Sequence, residues 1–170
     1  MRLWSARPAS QGQVDDRSGR IWLAGCLVFL ALLTTIRLAV CGSAPLSADE
    51  SYYWVWSRAL APGYLDHPPM TALWIRTGTL LFGSGAFGVR ALAPLSAAFG
   101  TLLLASAAAD FGGSEGRGRR AVVAGTLLNA TLLLGIGSVT MTPDTPLLFF
   151  WTLALAGLSL IHISEPTRPY

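Results

Sequence analysis

Five ionisable residues stand where this chain could do chemistry. Asp49 and Glu50 are adjacent in Ser47–Met70, SADESYYWVWSRALAPGYLDHPPM; Asp66 and His67 follow in the same stretch, and Asp144 lies in a second polar stretch, TMTPDT. A carboxylate held rigidly beside a hydroxyl is a general base. Asp144 is stiffened by Pro143 and Pro146, and Asp49 sits at the start of a helix that the Ser47–Glu50 capping-box pattern predicts. Glu50 either closes that box or assists Asp49. Asp66 either caps the following helix or meets substrate, and His67 is either an interfacial histidine or part of the site. Tyr53 shares a helix face with Asp49 and Trp56 and is a candidate substrate contact. Arg58 and Arg90 either snorkel or pair with the acids.

Other chemistries are poorly supported. Cys26 and Cys41 have no metal-ligand spacing and make no disulfide framework. There is no compelling Ser-His-Asp set and no phosphate-cradling loop. Gly83–Gly88, GSGAFG, fits the letters of a dinucleotide fingerprint but follows no strand, so it reads as a turn between helices. The sequence requires no cofactor and leaves a divalent metal open.

The elements that must position these groups are membrane helices. The 170 residues are 52% hydrophobic and 12% charged, with mean hydropathy +0.52. All basic residues are arginines, scattered among apolar runs, which gives no nucleic-acid footprint. Four spans are expected: Ile21–Val40, Val89–Ala109, Ala121–Val139, and one opening at Pro146. Arg37, near the end of the first, is expected to snorkel. Leu38–Cys41 faintly resembles a lipoprotein cleavage box, but Val40 suits it poorly, so a retained helix is expected. Residues 1–20 read as a cytoplasmic tail without helical period. The outer loop, 41–88, should hold two interfacial helices, Ala48–Leu60 and Pro68–Phe82. Ala, Gly and Ser in the second span should let a neighbour pack closely. Asn129-Ala130-Thr131 matches glycosylation letters but falls within a span.

Arginine placement sets orientation. The tail and the Asp110–Arg120 loop carry most of the arginines outside the spans and should be cytoplasmic. Asp49, Glu50, Asp66, His67 and Asp144 then share the opposite, periplasmic or extracellular face. Leu158–Arg168, LSLIHISEPTR, resembles one frame of a translated sequencing adapter, so residues 158–170 read as an artefactual tail on a longer natural chain.

The order of an apolar helix, ADESYYWVWSRALAPGYLDHPPM, FGVRALAPLSAAFG and TPDTPLLFFW resembles the N-terminal part of the family 39-type glycosyltransferases. These are all-α, polytopic membrane enzymes of the GT-C fold, related to protein O-mannosyltransferases and aminoarabinose transferases. The resemblance implies sugar transfer from a polyprenyl-phosphate donor to a lipid, glycan or protein acceptor, in a bacterial inner (plasma) membrane. It implies Asp49 as base, with Glu50 assisting or holding the loop. Asp66 and His67 would lie near the donor phosphate. Because histidine is only partly charged near neutrality, Arg90 is the better permanent cation. Asp144 would shape the site. Direct displacement would invert the sugar. A transporter or lipid flippase is the rival reading, but it should carry ionisable groups near the midplane. A small non-catalytic membrane subunit is the third.

Overall fold

The computed structural model describes residues 9–111 and 116–164, and among them every regular element is a helix. Residues 1–8 of the expected tail, 112–115 of the Asp110–Arg120 loop and 165–170 of the adapter-like terminus lie outside the described residues. The helices run α1 Ala9–Cys41, α2 Ala48–Arg58, α3 Met70–Phe82, α4 Ala86–Arg90, α5 Leu92–Asp110, α6 Arg117–Ala130, α7 Leu132–Gly137 and α8 Asp144–Ser164. α1 begins before Ile21, because a nucleated helix propagates cheaply through residues that hold no proline. α8 continues without interruption past Gly157.

Among the described residues, three stretches are long and apolar enough to cross a membrane: Leu23–Cys41, Ala86–Asp110 and Asp144–Ile161. The expected span Ala121–Val139 is instead two shorter helices, α6 and α7, broken at Thr131. Thr131 is extended (φ −70°, ψ 140°). Its hydroxyl donates to the Leu128 carbonyl at 2.8 Å and accepts the Leu134 N–H at 3.3 Å. One side chain thus serves both broken ends, which is how an interruption survives inside an apolar region. The pair still runs the length of the bundle. Arg120 reaches the Ala108 and Ala109 carbonyls at the end of α5, while Val139, just past α7, meets Cys41 at the end of α1.

α5 is the central element, against both α6 and α8. The expected close packing is present. A Cβ on Gly100 would lie 3.0 Å from Thr152 Oγ1 of α8, and one on Gly125 3.3 Å from Thr101 Cγ2. α3 crosses α4 so tightly that a Cβ on Gly78 would run into the Gly88 carbonyl. The turn between them uses Gly83 at φ +88°, the left-handed region that glycine enters freely. Trp74 of α3 donates to Ser96 of α5 at 2.8 Å. Tyr53, Trp56, Ala72, Ile75, Val89, Ala93 and Met141 form one buried cluster under the outer loop. Arg37 does not snorkel: it is 6% exposed and donates from Nη1 to Asn129 Oδ1 at 2.8 Å.

Candidate functional site

The capping box forms as its spacing predicts. Ser47 Oγ accepts the Glu50 N–H at 3.2 Å, and Glu50 Oε2 accepts the Ser47 N–H at 2.9 Å. This turns Glu50 inward, to 1% exposure. There Arg90 Nε donates to Oε1 and Nη2 to Oε2, both at 2.6 Å, and the Met141 N–H donates to Oε1 at 3.1 Å. Each carboxylate oxygen therefore accepts two hydrogen bonds. Arg90 also donates to the carbonyls of Cys41, Ala44 and Pro45, each at 2.9 Å. All five guanidinium N–H groups are occupied. Burial pushes the Glu50 carboxyl up, but the hydrogen bonds from Arg90, Ser47 and Met141 outweigh it and hold the group below its usual range.

The geometry bears on the alternatives left open for Arg90 and Glu50. Arg90 has no N–H left for a phosphate, and Glu50 no open oxygen for an acceptor. Both are parts of a clamp, which was one of the alternatives open for each. The clamp ties the end of α1, the 42–46 connector, the start of α2, the end of α4 and the loop before α8 to one point.

Asp49, one residue before Glu50, points the other way. It is exposed, and among the described residues its carboxylate makes no hydrogen bond or ion pair. Asp144 opens α8, also exposed and, among the described residues, unpaired, while its neighbour Thr145 is buried with its hydroxyl on the Gly137 carbonyl at 3.2 Å. Asp66 does not cap α3, whose N-cap is Pro69 without a side-chain bond. Its Oδ1 lies 3.3 Å from His67 Nδ1, too misaligned for a hydrogen bond, so that buried nitrogen has no hydrogen-bond partner. The His67 ring packs 5.5 Å from that of Tyr53 and 5.8 Å from that of Trp56.

Tyr53 stands in the field of these acids, with the His67 ring against it. It is 8% exposed, and burial raises its phenol, with the charges of Asp49, Asp66 and Asp144 adding to the effect. Carboxylates from α2, from the loop before α3 and from α8 thus bear on one neutral hydroxyl. Tyr64 closes the far end of α2, stacking on Trp56 at 4.6 Å with its hydroxyl 3.0 Å from the Trp56 carbonyl. Arg58 lies over Trp54 at 5.5 Å. Among the described residues no three of His, Cys, Asp and Glu converge to hold a metal ion. The arrangement offers free carboxylates as bases, a protonated phenol as donor and an imidazole beside them. Sequence reasoning missed Met141, whose contribution is a backbone N–H that no residue type signals.

Comparison with known proteins adds two matches. The family described as dolichyl-phosphate-mannose-protein mannosyltransferase matches residues 66–169. Over 108 residues the chain is 40% identical to the lipid A galacturonosyltransferase RgtD of Rhizobium johnstonii (strain DSM 114642 / LMG 32736 / 3841), covering 63% of this chain and 22% of that protein. The chain therefore spans under a quarter of the length of that relative. No solved structure matches it.

Proposed function

Because this chain belongs to the dolichyl-phosphate-mannose-protein mannosyltransferase family, we propose that its protein transfers a sugar from a polyprenyl-phosphate carrier to an acceptor hydroxyl. The reaction takes place on the non-cytoplasmic face of a bacterial inner membrane, with the chain's N-terminus cytoplasmic. The acceptor oxygen attacks the anomeric carbon, and the bond from that carbon to the phosphate oxygen breaks. The electron pair leaves with the polyprenyl phosphate, the hydroxyl proton passes to Asp49, and the sugar inverts. Asp144 and Asp66 orient the sugar and acceptor, and Tyr53 donates a hydrogen bond among them. His67 stands nearest the departing phosphate. The acceptor is a lipid, as for the galacturonosyltransferase relative, or a protein, as for the family's namesake, and the carrier's tail stays in the bilayer.

The observation that carries this reading is the contrast within the acid pair. Glu50 is saturated by four hydrogen bonds, while Asp49 is held beside it exposed and unpaired. A base needs that combination of rigid backbone and free carboxylate. The acids also gather at helix ends, whereas a transport path would place them near the midplane. The test uses membranes containing the complete protein and a panel of polyprenyl-phosphate hexose, hexuronate and aminopentose donors. Release of free polyprenyl phosphate is the readout. Asp49→Asn should lower kcat by about 10²- to 10⁴-fold with the protein still in the membrane. Near-normal turnover in that variant would sink the assignment.

A further inference from the structure

Arg37, Asn129 and Thr101 form a directed chain of hydrogen bonds between three helices. Arg37 Nη1 of α1 donates to Asn129 Oδ1 of α6 at 2.8 Å. Asn129 Nδ2 donates to Thr101 Oγ1 of α5 and to the Gly125 carbonyl, both at 2.9 Å, and Thr101 Oγ1 donates to the Ala97 carbonyl at 2.7 Å. The sense of the amide is fixed by chemistry, since a guanidinium only donates and must face oxygen. Arg37 is 6% and Thr101 7% exposed, and no carboxylate pairs with Arg37 among the described residues. A charge inside a membrane-spanning stretch is expensive, and apolar packing of small residues would join these helices without it.

What the charge holds is visible in the chain on either side of α7. Asn129 lies two residues before the break at Thr131. Cys41, on the same face of α1 one turn after Arg37, has its Sγ 3.6 Å from the Val139 carbonyl beyond α7. The last turns of α1 therefore grip the chain before and after α7. From there the path runs directly to the site: the Met141 N–H sits on Glu50, and Thr145, next to Asp144, is bonded to Gly137 of α7.

We infer that Arg37, acting through Asn129, is a positioning residue: an anchor within the membrane that fixes the α6–α7 break and so sets the start of α8, which carries Asp144, at the end of the bundle that holds Tyr53 and Asp49. Its effect on turnover rests on the transfer reading above; its effect on the position of α7 does not.

The test reads both. In the complete protein with every cysteine except Cys41 replaced by serine, Val139→Cys is paired with native Cys41 and treated in membranes with a short bifunctional thiol reagent. Arg37→Met and Asn129→Leu should each lower the 41–139 cross-link about fivefold or more. Arg37→Lys, which still donates to Asn129, and Asn129→Asp, which still accepts from Arg37, should stay close to the parent, so the comparison stands even if Arg37→Met is lost from the membrane. Without the introduced cysteine, Arg37→Met should lower kcat about 10- to 100-fold with KM unchanged, because a small misplacement far from the chemistry acts on rate, and Arg37→Lys should rescue it. An undiminished cross-link in both Arg37→Met and Asn129→Leu overturns the inference. So does a raised KM at unchanged kcat, which would put Arg37 on the substrate. A cross-link lowered by Arg37→Met and Asn129→Leu, with a parent that turns over none of the donors, would instead support the anchor and remove the transfer reading.

Discussion

Asp49 and Glu50 are chemically alike and adjacent, yet one side chain is bare and the other accepts four hydrogen bonds. Half of that outcome was legible. Ser47 three residues before Glu50 announces a capping box, which turns Glu50 back on the chain and leaves Asp49 outward. That Arg90 pairs with an acid was one open reading, but that the acid is Glu50 was not legible, because the partners are 40 residues apart and no local pattern encodes their meeting. Nor does a sequence show that Asp66, Asp144 and Asp49 bear on one phenol. That convergence yields a prediction for Tyr53. Its phenol is held above the ordinary value of 10.0, so it stays protonated in the folded protein at any working pH. The sign follows: above about pH 10 the unfolded chain ionises this group before the folded one does, so its contribution to stability falls as pH rises through that window and is constant below it. Tyr53→Phe should lower kcat by about tenfold or more, as for loss of a positioned donor. The shape of the rate–pH profile below pH 9 should stay as in the parent, measured by polyprenyl phosphate release. A new basic limb near neutrality in the parent, abolished by Tyr53→Phe, would contradict a neutral phenol.

At the scale of elements, the clamp is what converts helices into a site. Removing one partner leaves a buried charge unpaired, which costs about 3–5 kcal/mol. Glu50→Gln and Arg90→Met should each destabilise the detergent-solubilised protein by that order, seen as early thermal aggregation. The double variant Glu50→Leu/Arg90→Met should recover much of the stability but little of the transfer, since Met141, and with it Asp144, loses its tether. Equal activity in the double variant and the parent would show that the clamp does not place Asp144. The pH window has its own sign. The Glu50 carboxyl is held below its ordinary 4.5, so its stabilisation is fully present above that pH and is lost as pH falls through the lower, folded-state value. The clamp should therefore survive mildly acidic buffers unchanged. Among the helices, α2, α3, α5 and α8 were readable from caps, prolines and apolar runs. The broken α6–α7 pair was not. Mean hydropathy averages over Thr131, and only the structure shows its hydroxyl serving both ends. Asn129 looked like part of a glycosylation signal inside a span, and its link to Arg37 gives those letters a different meaning.

For the whole molecule, the broken pair decides on which side the acids lie. If α6 and α7 failed to cross, Asp144 would sit at the opposite end from Asp49, and no common site could form. Two sets of contacts place the start of α6 and the end of α7 at opposite ends of the bundle. Arg120 joins the start of α6 to the end of α5, while Val139 and Met141 join the end of α7 to Cys41 and Glu50. α1 and α6–α7 therefore run one way and α5 and α8 the other, and Asp49, Asp66 and Asp144 all gather at one end. On the topology proposed above, that end is the non-cytoplasmic one. Leu65, 97% exposed beside Asp66, and Arg119, exposed near the start of α6, mark the two ends. In the complete protein with all its native cysteines replaced by serine, Leu65→Cys should react with a membrane-impermeant maleimide in intact spheroplasts. Arg119→Cys should react only after permeabilisation. The reverse pattern would put the carboxylates in the cytoplasm and end the case for transfer on the outer face. Labelling of both positions from one side would mean that α5 does not cross, and the shared end of the bundle would then be no membrane face at all.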